Sequence, residues 1–406
     1  MRAQAVITGI GTVTPVGIGR AELWENLLAG RCGFGEVTSF DTRAYKVHYG
    51  AEVKGFRAAD HIRTLSWQTV GRTTAFAIAA ARLALMDAKL DPESLEAERT
   101  GVAVGTTSGE PQVIESFNNR YAAGRLHETG AELFTTYPCH NLSGQVAAEF
   151  GFTGANLVLP AACAAGNFAI AFAAELIGSG RADVMLAGGA DSFSRITFTG
   201  FARLGAIAPK VCQPFDKNRK GMIPGEGAAF LILERADRAL ARGAPVYAEV
   251  AGYGLTCDAR HMTGMDEEGA GAARAMALAL RDSRLQPRQV AYISAHGTGT
   301  LTNDRTETRA IKRVFGERSP RIPVSSIKSM LGHTMGAASA IEAAVCALAV
   351  STGRIPATMN LDTPDPECDL DYVPNRAREQ AIPVALNNAF GFGGNNSSLV
   401  LKRFEG

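Results

Sequence analysis

Four stretches of the sequence place nucleophilic, basic or glycine-rich residues where a folded chain can use them. Cys163 stands in LVLPAACAAGNFAIAF, after a short apolar run and before a stretch free of helix breakers. A thiol at that junction meets the first turn of a helix, whose unpaired N–H groups and dipole favour the thiolate and lower its pKa. The same N–H groups can hold an oxyanion, and Ala164, Ala165 and Gly166 leave a ligand room to approach. Taken alone, Cys163 has the alternative of a buried structural cysteine.

His296 lies in SAHGTGTLTND (294–304), between glycines that permit a tight turn, with the hydroxyls of Thr298 and Thr300 in the same loop. Lys328 and His333 lie in SSIKSMLGHTMGAASAIE (325–342), the histidine at the opening of a helix. A histidine so placed stays neutral and can donate an N–H hydrogen bond without being a full cation. The alternative for either ring alone is a satisfied core or capping histidine. In NNAFGFGGNNSS (387–398), Phe390 to Gly394 reads as a backbone loop that must approach something closely, or as a plain glycine-rich turn.

Strands and helices in alternation must carry these groups. Residues 157–160 read as a strand, 164–177 as an Ala-rich helix, and 182–187 as a strand closed by Gly-Gly-Ala-Asp. The second half repeats the pattern, with strands at 290–294 and 322–325, helices at 304–315 and 335–351, and closing strands at 384–388 and 397–402. This is an α/β pattern with two similar halves. The least structured junction, RGAPVYAEV (242–250), sets the division at 1–245 and 246–406.

Composition narrows the classes. With 41 Lys+Arg against 40 Asp+Glu in 406 residues, the net charge of +1 lacks the excess of a nucleic-acid or polybasic membrane binder. No apolar run approaches the roughly 18–20 residues of a membrane span, and the first residues lack a signal-peptide core. Seven scattered Cys without a CxxC pair argue against a disulfide framework and a zinc site, and fit a reducing cytoplasm. GIGTVTPVG lacks the spaced acidic residue of a dinucleotide loop.

Taken in order, Cys163, HGTGT, KSMLGHTMGAAS and FGFGG resemble the condensing enzymes of the thiolase superfamily, specifically elongating β-ketoacyl-acyl-carrier-protein synthases. The resemblance runs the whole chain, from ITGIGTVTPVG through PFDKNRKGMIPGEGAAFLILE to GFGGNN. It implies the thiolase fold, two βαβαβ-rich halves in a five-layered α-β-α-β-α sandwich, and decarboxylative Claisen condensation of an acyl chain on Cys163 with a malonyl-acyl carrier protein. In its terms Cys163 and Phe392 supply the oxyanion-hole N–H groups, and His296 and His333 stabilise the enolate. Lys328 holds His333, Glu307 anchors Lys328, Thr298 and Thr300 bind the pantetheine arm, and Phe392 and the loop 257–269 gate the pocket. No metal and no cofactor of its own is implied, the substrates being carried on phosphopantetheine.

Several positions depart from the pattern usual in fatty-acid synthesis. Ala-Ala follows Cys163 where Ser or Thr is common, LTNDRTET is closer to polyketide-type synthases, and Ser108 stands where a bulky aliphatic often closes the acyl pocket. An acidic carrier implies a basic patch, with Arg63, Arg72, Arg203, Lys210, Lys217, Arg219 and Lys220 as candidates, the last three also readable as internal ties. The fold implies a dimer, either a homodimer or the catalytic half of a pair with a chain-length-factor-like subunit. A non-catalytic partner subunit lacks the nucleophile that this chain retains. A thiolase is the third reading, and HGTGT with GHTMG fits it less well.

Overall fold

The computed structural model describes residues 3–406. Ten strands build two halves: β1 (Ala5–Thr14), β2 (Thr100–Gly105), β3 (Asn156–Leu159), β4 (Val184–Asp191) and β5 (Gly227–Arg235), then β6 (Ala248–Cys257), β7 (Tyr292–Ser294), β8 (Val324–Ser325), β9 (Val384–Gly391) and β10 (Asn395–Lys402). The first five stand in the order β1-β5-β4-β2-β3 and the second five in the order β6-β10-β9-β7-β8. Pair by pair the directions agree as well. β2 is parallel to β3 and β4, β4 is antiparallel to β5, and β5 to β1; β7, β8, β9, β10 and β6 repeat this. The similarity of halves is therefore a repeated topology. A short antiparallel contact, Val6 with Glu249 and Ile7 with Ala248, joins the two sheets at one corner.

Between the sheets lie α3 (Ala165–Gly178) and α6 (Ala338–Thr352), each packed on strands of both halves and on the other. Their Ala-rich sequences follow from this position, because a helix covered all round needs small apolar residues on every face. On the outside, α1 (Arg72–Asp87) and α2 (His140–Phe150) cover the first sheet, and α4 (Ala270–Asp282) covers the second with α5 (Leu301–Phe315) packed on α4. These are the five layers of the thiolase fold.

Several element ends lie a few residues from where the sequence pattern predicts them. The helix expected at 335–351 begins as a tight turn, Met335–Ala337, before α6, and α5 starts at Leu301 rather than at 304. The stretch Met335–Thr352 also has the length and hydropathy of a membrane span, contrary to the sequence reading, and 89% of it is buried inside the sandwich.

Candidate active site

Cys163 lies just beyond β3 in a tight turn, Ala162–Ala164, that runs directly into α3. Ala162 holds φ at +49°, in the left-handed region that a residue with a Cβ seldom enters. A strained strand-to-helix joint of this kind presents a nucleophile at a sharp turn. The helix-dipole argument alone expects a lowered thiol pKa. Burial outweighs it: the Cys163 thiol is pushed up to about 12, against the opposing pull of Lys328, so the resting residue is a neutral thiol.

The two histidines reach the thiol from the other half. His296 follows β7, and Glu307 of α5 fixes that loop by accepting the N–H groups of His296 and Gly297, both at 2.8 Å. His333 lies between the short helix Lys328–Leu331 and the turn Met335–Ala337, and its Nδ1 accepts the Met335 N–H at 3.2 Å. Lys328 Nζ stands 3.5 Å from Nδ1 of His296 and pairs with Glu342 of α6. An ammonium only donates, so Nδ1 of His296 is an acceptor, and both rings carry their proton on Nε2. Burial, with Lys328 acting in the same direction, holds both imidazoles well below the usual histidine pKa. They are neutral N–H donors.

One donor-type atom each of Cys163, His296 and His333 lies within 4.8 Å of the others, and the two rings meet edge to face at 5.5 Å. Such a trio has the atoms of a metal site, but the Lys328 ammonium beside it disfavours a cation there. The Gly-rich loop closes the site from a further side. A Cβ on Gly391 would stand 3.0 Å from the Cys163 nitrogen and 3.1 Å from the Ala162 Cβ, so a side chain there would press the chain before Phe392 away from the nucleophile's N–H. Phe392 is 37% exposed, its ring 5.6 Å from that of Phe201. The loop 257–269 is bonded to the Phe392 turn: Gly393 N–H donates to the Met262 carbonyl at 2.7 Å and Asp258 N–H to that of Gly394 at 3.0 Å.

The remaining residues fall as follows. The hydroxyls of Thr298 and Thr300 bond each other at 2.9 Å at the head of α5. Two ties differ from those the resemblance implied: Lys328 reaches His296 rather than His333, whose Nδ1 is taken by the Met335 N–H, and Glu307 holds the His296 backbone while Glu342 takes the ammonium. Burial raises both carboxyls to about 7. Ser108 is joined to the site through Asp191, which accepts its N–H at 3.0 Å and that of Gly336, beside His333, at 2.6 Å. Glu342 and Asp191 escaped the sequence reading. The signal for Glu342 was a lone charge in an otherwise apolar helix, and for Asp191 an acid ending a fully buried strand.

Of the basic candidates, Arg63, Arg203, Lys210, Lys217 and Lys220 are exposed. Arg219 is not: it is buried between Asp304 at 3.3 Å and Asp365 at 2.6 Å, an internal tie. Arg72 is half-buried and engaged by Glu226.

Residues 3–239 match the β-ketoacyl synthase N-terminal domain and residues 247–362 the C-terminal domain. The chain belongs to the β-ketoacyl synthase family. It is 40% identical over 411 residues to a 3-oxoacyl-[acyl-carrier-protein] synthase 2 of Synechocystis sp., covering 100% of this chain and 99% of that one. Among solved structures, the ishigamide ketosynthase/chain length factor matches with a TM-score of 0.97 and 41% identity, covering 100% of both chains. A type II polyketide ketosynthase, solved with its acyl-carrier protein and bound to a hexaketide, matches with a TM-score of 0.93 and 33% identity, again over 100% of both chains. This synthase is thus a condensing enzyme of the acyltransferase class.

Proposed function

We propose that this chain extends an acyl group held on Cys163 by decarboxylative condensation with a malonyl-acyl carrier protein, releasing a β-ketoacyl carrier. The observation that carries the assignment of roles is the convergence of one thiol and two neutral Nε2–H donors. In the first step the Cys163 sulfur attacks the acyl thioester. Its proton is lost as the carrier's pantetheine thiol gains one, so acyl transfer is proton-neutral overall. The tetrahedral oxyanion is held by the N–H groups of Cys163 and Phe392. In the second step His296 and His333 donate to the malonyl thioester oxygen, stabilising the enolate left by loss of CO₂. That carbanion attacks the acyl carbonyl, and the Cys163 thiolate leaves and takes one proton from solvent, which restores the resting thiol and balances the proton consumed by decarboxylation. Lys328, neutralised by Glu342, keeps the His296 proton on Nε2. Thr298 and Thr300 meet the pantetheine arm, Phe392 is the gate, and the enzyme holds no cofactor of its own.

The partner is an acyl carrier protein, met by the exposed Arg63, Arg203 and Lys210; its setting is the cytoplasm. Strand β3 ends its sheet with Leu157, Val158 and Leu159 only partly buried, which supports pairing through that edge with a second subunit. The similarity to a ketosynthase/chain length factor favours the second reading, the catalytic half of such a pair, alongside the homodimer.

Intact-mass measurement of acyl transfer from carriers loaded with graded chains tests the assignment, with Cys163→Ala as control. The wild type is expected to gain one acyl mass and the variant none. An equal adduct on both, or none on either, overturns it.

A further inference from the structure

Where α3 crosses α6 above the second sheet, the core carries polar side chains that the reaction does not use. Asn167, in the first turn of α3 behind Cys163, and Asn387, in β9 ahead of Gly391, are both fully buried. Nδ2 of Asn387 donates to Oδ1 of Asn167 at 2.8 Å and to the Ser339 carbonyl at 2.9 Å. Nδ2 of Asn167 donates to the Asn387 carbonyl at 3.3 Å and to Oγ of Ser397 at 3.2 Å. The Asn167 backbone N–H donates to Oγ of Ser339 at 3.1 Å, and the Ser397 hydroxyl to the Ala389 carbonyl at 3.2 Å.

These bonds have a fixed sense. Both acceptors around Asn387 face its Nδ2, and turning the amide over would set oxygen against oxygen. Gly166 allows the approach, since a Cβ there would come within 2.5 Å of the Ala340 nitrogen. Apolar side chains could fill the same space at less desolvation cost. What the paired amides add is direction: they fix one sliding position of α3 against β9.

We propose that Asn167 and Asn387 are positioning residues that hold the Cys163 helix in register with the strand delivering Phe392, and so set the spacing of the two oxyanion donors. The proposal rests on the oxyanion role given above to those two N–H groups. It separates the half-reactions. Acyl transfer needs both donors aligned, whereas malonyl decarboxylation needs the Nε2–H groups of His296 and His333. The histidine side keeps its own ties, Lys328 to Glu342 and Asp191 to Gly336.

The test compares the wild type, Asn167→Ala, Asn387→Leu and the double variant. Single-turnover acyl transfer to Cys163 is followed by intact mass, malonyl-carrier decarboxylation by CO₂ release, and folding by the thermal midpoint. Each single variant is expected to slow acyl transfer by at least about tenfold while decarboxylation stays within about twofold. The double variant is expected to be no slower than the worse single one. Asn167→Ser, a milder change, is expected to fall between wild type and Asn167→Ala, and serves where the others do not fold. Unchanged transfer, or both half-reactions falling together with the folded fraction, overturns the proposal. A wild type that takes no acyl group refutes the assignment of Cys163 instead.

Discussion

The two halves of the molecule have the same strand order and the same strand directions, yet they place different chemistry at equivalent positions. The third strand of the first half leads to Cys163, and the third strand of the second half leads to Lys328 and His333. The second strands end at Gly105, before Ser108, and at Ser294, before His296. The fourth end at Asp191 and Gly391. The repeated topology supplies the geometry, bringing the strand ends of both halves to one point around the central helices. Under the proposed mechanism the side chains divide: the first half carries the acyl thiol, and the second sets protons and charge through His296, His333, Lys328, Glu342 and Glu307, while its Phe392 N–H also serves the acyl step.

If that division of side chains is correct, losing either histidine slows the malonyl step and leaves acyl transfer to Cys163 running. His296→Ala and His333→Ala are each expected to lower condensation by about 10²–10³, the usual cost of one lost oxyanion-type donor. Acylation of Cys163 should persist in both. Intact mass and CO₂ release on the same samples check this, and loss of the acyl adduct in either variant would break the division.

Lys328 tests a smaller effect inside the second half. Lys328→Ala leaves Glu342 buried without its cation, and removing one member of such a pair costs about 3–5 kcal/mol of stability. Denaturant unfolding measures it. Replacing both residues, Lys328→Met with Glu342→Leu, should recover most of the loss in stability without restoring decarboxylation. A full loss in the double variant would show that packing, not charge, carries the cost.

Much of this was legible in the sequence. Cys163, His296, Lys328 and His333 were marked by residue type beside strand ends, and the alternation of strands and helices gave the two halves. Partners across the chain were not legible. Glu307 and Glu342 both face this site from helices, and only three-dimensional packing shows that Glu307 serves the His296 backbone while Glu342 takes the ammonium. The thiol was misjudged for a related reason: the helix N-terminus is visible as sequence, but the burial that opposes it arises from both halves closing over Cys163.

That burial gives the two halves opposite responses to pH, the smallest and most direct contrast. The first half's thiol is raised to about 12, so its thiolate grows as pH rises. Alkylation of Cys163 by iodoacetamide, read by peptide mass with Cys163→Ala as background, should climb by about tenfold per pH unit from pH 7 to pH 9. A plateau beginning below the ordinary thiol value would show that the helix dipole wins. The second half's imidazoles are held well below the usual value of 6.5, so they remain neutral donors as pH falls through it. Neither ring should therefore add a step to malonyl decarboxylation at pH 6.5, where an ordinary histidine would be half protonated; a change near pH 7 is expected from Glu307 and Glu342, whose carboxyls burial raises to about 7. The same depressed pKa values give a stability contribution that is complete above pH 6.5 and is lost below it, because the unfolded chain then binds protons that the folded one excludes. A break at pH 6.5 that persists in both Glu307→Gln and Glu342→Gln, without loss of folded protein, would mean that one ring titrates freely, and that the second half is open to solvent where the first is closed.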